Sequence, residues 1–403
     1  MTRPWYRQRW PWWPWRRRRS PRGDLAPGVD TRRKITTAER ILAVAVAVTA
    51  AVGAGMGLTA RSSPDPVPAP PAHLSTQPVP APPARMGTQP ATPARPPRLP
   101  APPPAAHAYD RGIDAAARHG LRIWIEVDLP TAWLAGPHRW RQTLDYVGHM
   151  AARPGVVGIK IADELGYQDK LGGVHDVVRF LRAAHADLAR VAPGKLIAAD
   201  FYVSDAGCLP GDASRWARAC ATEFRTRLPR CTLDAVDRYI RTGALDVVNY
   251  APEVVSDEEF AGGAIADPAA GMRAAWQEAR RRGWDRLVTL NGRLAPGFPG
   301  RYPHDRAHAE RTLHSELDVP ILMGARGVDV WTWRQHYEGK TFHLIDPGLR
   351  PNALWQALLD RRSRGARLFT HFDPTIVDRG LDADLEVLKT VFTDIFVMPG
   401  LGW

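Results

Sequence analysis

From about residue 108 onward, short and almost unbroken apolar runs alternate with longer stretches whose apolar positions recur every three to four residues. The short runs are LRIWIEVDLP (121–130), VVGIKIADELG (156–166), KLIAADFYV (195–203), LDVVNYAPEV (245–254), RLVTLNGRL (286–294) and GVDVWTWRQHY (327–337). Between them, residues 109–119, 138–152, 174–191, 268–282 and 306–316 have helical spacing. A strand buried on both faces reads as a continuous apolar run, and such strands alternating with helices predict a parallel sheet covered on both sides. The expected class is therefore α/β.

A different pattern marks the start of the chain. Residues 41–60, ILAVAVAVTAAVGAGMGLTA, hold no charge. At about 1.5 Å per residue, a helix of that length crosses a hydrocarbon core of about 30 Å. Twelve Lys and Arg precede the segment, and only Arg61 follows within the next twenty residues. That asymmetry keeps the N-terminus in the cytoplasm and sends the remainder across. The forty residues ahead of the apolar stretch favour an uncleaved single-pass signal-anchor in the cell membrane over a cleaved signal peptide, and either one places the globular domain outside the cell. The leading tail (1–40) interleaves Trp with Arg, which suits a segment lying on an anionic inner leaflet or one that only sets topology. Residues 61–107 form a Pro/Ala linker, with 17 of the 38 prolines falling between Pro64 and Pro104. Such a composition buries no core and favours an extended stalk.

Charge alters this picture in one respect. The net +12 and pI of 10.0 suggest a nucleic-acid binder. Residues 1–40 alone supply +9, however, which leaves +3 for everything after them. The basic charge belongs to a tail rather than to a domain face, so no nucleic-acid partner is expected. Cys208, Cys220 and Cys231 lie in a single stretch. Outside the cell, two of them would pair and staple a long loop, with the third left free. Their spacing fits no compact metal site, and neither a metal nor a cofactor is expected.

Every one of the apolar runs ends in polar or aromatic residues. These are Glu126 and Asp128; Asp163 and Glu164; Asp200 and Tyr202; Asn249 and Tyr250; Asn291 and Arg293; Trp331, Trp333 and Arg334. In a (β/α)8 barrel the C-terminal strand ends build the active site. A single such residue is most simply a turn carboxylate, but six strand ends of this kind in succession suggest a shared cleft.

Three stretches resemble retaining clan-A glycoside hydrolases, which are (β/α)8 (TIM) barrels. RPGVVGIKIADELG (153–166) is similar to the family's fourth strand, which closes on the acid/base Glu. HGLRIWIEVDLP (119–130) looks like the third. VDVWTWRQHY (328–337) with LIDPGLRPNALWQAL (344–358) resembles the eighth, with its sugar-stacking Trp and the closing helix. The resemblance implies a TIM-barrel-like domain over 108–403 that acts on a polysaccharide or glycoconjugate. It makes Glu164 the general acid/base, with Asp163, Glu126 and Asp128 as further catalytic carboxyls. Asp200, Tyr202, Asn249, Tyr250, Asn291, Trp331 and Trp333 would contact the sugar.

Two departures follow from the same comparison. Asn291 stands where the family has its nucleophile, which leaves inverting chemistry through Glu126, Asp128, Asp200 or Glu253, or else a catalytically inactive carbohydrate-binding or wall-attachment protein. If the visible strands are the third to the eighth, the first two are missing. About six β/α units would then form an incomplete barrel, to be completed by self-association with a second copy.

Overall fold

The computed structural model describes residues 104–398, apart from 168, 209–214, 253–267, 287, 295–302, 304 and 338–339. The tail, the apolar segment 41–60 and nearly all of the linker lie outside the described residues, as does Glu253. Among the described residues no helix is long and apolar enough to cross a membrane.

Six strands fall where the apolar runs predict them: β1 (Arg122–Glu126), β2 (Val156–Lys160), β3 (Leu196–Val203), β4 (Val247–Pro252), β5 (Val288–Leu294) and β6 (Val328–Tyr337). Three more follow, namely β7 (Lys340–His343), β8 (Leu368–Phe372) and β9 (Asp394–Val397). β7 forms an antiparallel hairpin with β6. The other eight pair in parallel, β1 through β6 in chain order, then β6 with β8, β8 with β9, and β9 with β1. This is a closed, TIM-barrel-like ring of eight parallel strands.

The expected incomplete barrel is thereby corrected. The two strands thought to be missing lie after β6 instead of before β1, and one chain supplies all eight. Asp394 fastens the closing seam between β9 and β1. Its buried carboxylate accepts from Trp124 Nε1 at 3.0 Å and from Arg367 at 2.7 and 3.0 Å.

Helices fill the connections: α1 (Pro104–Arg118), α2 (Leu129–Leu134), α3 (Pro137–Ala151), α4 (Val174–Val191), α5 (Arg215–Arg227), α6 (Leu233–Ile240), α7 (Pro268–Arg281), α8 (Arg306–Leu313), α9 (Val319–Leu322), α10 (Ala353–Ser363) and α11 (Leu381–Leu388). Their starts are locally encoded. Thr232, Asp305 and Asn352 cap α6, α8 and α10 by accepting from the backbone N–H three residues on. The large core lies between these helices and the outer face of the strands.

A smaller cluster, made of Trp124, Ala198, Val247, Leu290, Phe369 and Phe396, fills the inside of the ring. Two glycines make room for it. A Cβ on Gly158 would stand 2.3 Å from the Trp124 ring, and one on Gly327 would stand 2.8 Å from Phe369. Cys208 and Cys220 form the disulfide, with Cα atoms 5.7 Å apart, and Cys231 is free and buried. Burial pushes the Cys231 thiol up to about 12.

Candidate functional site

Side chains on one face of a strand repeat every two residues. Two residues beyond the apolar layer, toward the C-terminal ends, six strands place a polar group inside the barrel. Trp124 is followed by Glu126, Gly158 by Lys160, Ala198 by Asp200, Val247 by Asn249, Gly327 by Asp329 and Phe369 by His371.

These six residues form a closed circuit. Lys160 Nζ lies 2.9 Å from Glu126 Oε1 and 2.5 Å from Asp200 Oδ2. Asn249 Nδ2 donates to Asp200 Oδ1 and Asp329 Oδ2, each at 2.8 Å. His371 completes the ring, with Nε2 at 3.2 Å from Asp329 Oδ2 and Nδ1 at 3.0 Å from Glu126 Oε2. The His371–Glu126 and Lys160–Asp200 contacts are ion pairs. Asp163 reaches the edge of the circuit, its Oδ1 3.4 Å from Lys160 Nζ, and is about a third exposed (32%).

Crowding ionisable groups in a dry interior pushes their proton affinities apart. Burial raises the Asp200 carboxyl well above the usual range against the pull of Lys160, and the other carboxylates add to the rise. Burial acts on Glu126 in the same sense, but Lys160 and His371 outweigh it and hold Glu126 below its ordinary value. Burial and Lys160 oppose the His371 cation, yet Glu126 and Asp329 push its pKa up to about 10. Lys160 likewise stays charged, because Asp200, Glu126, Asp163 and Asp329 overcome its desolvation. The two carboxyls that share the Lys160 ammonium are thus pushed in opposite directions, Asp200 up and Glu126 down.

Among the residues expected from sequence, Glu126, Asp200 and Asn249 belong to this ring and Asp163 to its rim. Glu164 follows in a buried turn, at φ 49°. That turn is tied to β3 at the ring itself, since Leu165 N donates to the Asp200 carbonyl at 2.8 Å and Asp200 N to the Ala162 carbonyl at 3.2 Å.

Tyr202 and Trp331 lie one step further along the same strand faces as Asp200 and Asp329. Both are half-buried, Tyr202 against Tyr167 and Trp331 against Phe342. Three further candidates, Asp128, Tyr250 and Trp333, lie away from the mouth. Asp128 is exposed and caps α2 by accepting from Thr131 N at 3.0 Å. Tyr250 points to the helices, packing on Trp276 and Trp284 with its hydroxyl on the Ala275 carbonyl. Trp333 packs on Trp355 and donates to Asp384. Asn291 pairs in register with Tyr250, and its side chain lies outside the described residues.

No family profile matches this chain, and no curated protein matches it. Solved structures do resemble it. A "probable tagatose 6 phosphate kinase" from Sinorhizobium meliloti 1021 has 15% identity over 70% of this chain and 65% of that one, with a TM-score of 0.42. A D-psicose 3-epimerase from Clostridium cellulolyticum H10 has 10% identity over 69% and 84%, with a TM-score of 0.37. A "putative phosphonomutase" from Burkholderia cenocepacia J2315 has 16% identity over 72% and 93%, with a TM-score of 0.35. These likenesses carry no argument about activity, and the barrel assignment rests on its own strand pairing.

Lys160, Asp329 and His371 were not among the expected site residues. Lys160 and Asp329 could have been found as lone charges within apolar runs, on the inward alternation shared with Gly158 and Gly327. Burying a charge is costly unless it is paired, so each pointed to a partner across the barrel.

Proposed function

We propose that this chain is a carbohydrate-active enzyme, a glycoside-hydrolase-like barrel held outside the cell by the apolar segment 41–60. The observation behind this reading is the ring of ionisable groups at the C-terminal strand ends, where the Asp200 carboxyl is pushed up and the Glu126 carboxyl down. Two carboxyls with opposite proton affinities are what acid/base chemistry at neutral pH requires. In this reading Glu164 protonates the leaving oxygen from its buried turn beside Asp200. Glu126 stabilises positive charge developing on the sugar, and Asp163, the most exposed carboxylate of the group, meets its hydroxyls. Tyr202 and Trp331 offer faces on which a sugar ring can stack.

The test is turnover of a glycan panel by the full-length protein. Glu164→Gln is expected to lower the rate by about 10²–10⁴-fold while leaving the thermal transition in place. Sugar binding without turnover in the unmodified protein would instead establish the inactive carbohydrate-binding protein suggested by the amide at Asn291. Absence of both would remove the proposal.

A further inference from the structure

We propose that Asp200, Asp329 and His371 form a site for a divalent transition cation, Mn²⁺ or Zn²⁺, inside the barrel mouth. One ligand atom from each of these residues lies within 4.8 Å of the others. They come from β3, β6 and β8, so only barrel closure assembles them.

Two buried oxygens at this place have neither a hydrogen bond nor an ion pair among the described residues. Asp329 Oδ1 belongs to a fully buried side chain, and Asn249 Oδ1 to one exposed by only 1%. A buried acceptor without a donor costs roughly 1–3 kcal/mol, and a cation is the ligand that a group of bare oxygens receives. The Asn249 amide nitrogen already spans Asp200 Oδ1 and Asp329 Oδ2. Turning that amide over exchanges nitrogen for oxygen and brings a fourth donor to the same two carboxylates.

The imidazole is held as a metal-ligating histidine usually is. Glu126 lies on Nδ1 and fixes the ring, so that Nε2 faces Asp329. The cation takes the place of the proton that His371 Nε2 otherwise shares with that carboxylate. Lys160 contacts Asp200 through the other oxygen, Oδ2, and so leaves Oδ1 for the metal. Carboxylate, amide and imidazole donors without thiolate suit Mn²⁺ or Zn²⁺ rather than a soft ion.

The inference does not depend on the sugar reading, because metal content is measured without substrate. Full-length untagged protein would be stripped with EDTA, dialysed against micromolar MnCl₂ or ZnCl₂, and its metal determined by atomic absorption. About one ion per chain is expected, with affinity about tenfold or more weaker in His371→Gln and about tenfold weaker in Glu126→Gln. Asn249→Asp guards against simple misfolding, since it adds a carboxylate. It should bind at least as tightly as the unmodified protein and gain a larger increase in Tm from the metal. Unmodified protein that retains no ion, or His371→Gln that retains it unchanged, would overturn the site.

Discussion

Lys160 is the residue on which the interior electrostatics turn, because it alone puts an ammonium between Glu126 and Asp200. Removing one partner of a buried ion pair strands the rest, at about 3–5 kcal/mol. Lys160→Met is therefore expected to lower stability by that order, read from the denaturant midpoint with the m-value unchanged. His371 predicts a pH dependence for the metal-free protein. Its pKa in the fold, about 10, lies above the ordinary 6.5. Its stabilisation is thus complete below pH 6.5 and is lost as the pH climbs toward 10. Asp200, also raised, works in the same direction. With chelator present, Tm should fall between pH 6.5 and 10, and the fall should flatten in His371→Gln. An equal slope in both proteins would remove His371 as the cause.

Individual elements show how far the sequence could be read. β1 to β6 were legible because each is apolar on both faces, and α4 was legible to the residue because its stripe is unbroken. β8 (LFTHF) and β9 (DIFV) are only five and four residues long, too short for periodicity to separate from a helix fragment. α5 and α6 lie in a long connection with no apolar run to frame it. The site was legible in the same measure. Glu126, Asp200 and Asn249 end or interrupt recognisable strands, whereas His371 lies on one that was not recognised. Asp128 and Tyr250 show the limit of strand-tip reasoning, since a tip residue can cap a helix or face outward just as well. At this scale Gly158→Ala is expected to cost about 1–3 kcal/mol, because the added methyl meets the Trp124 ring at 2.3 Å. Thermal unfolding followed by circular dichroism would measure it, and an unchanged Tm would mean that the interior layer is looser than its packing suggests.

At the largest scale, the decisive contact is the one that joins β1 to β9, the first and last of the described strands. Trp124 and Asp394 are 270 residues apart in sequence, and their hydrogen bond lies on the seam that closes the ring. A chain ending at residue 366 would lack β8, α11 and β9, leaving β6 and β1 with unpaired edges. Such a truncation is expected to lose the cooperative thermal transition and to aggregate, as light scattering would report. A sharp melt in the truncated chain would mean that six strands suffice, contrary to the ring described above.

The same seam sets a schedule for biosynthesis. A polypeptide leaves the ribosome from its N-terminus, so Trp124 of β1 emerges 270 residues before Asp394 of β9 and must wait for it. Until then β1 lacks its neighbour on the seam, and the interior cluster lacks Phe396. The ring therefore cannot close before β9 has been made, and the part-made domain carries an open strand edge until that moment.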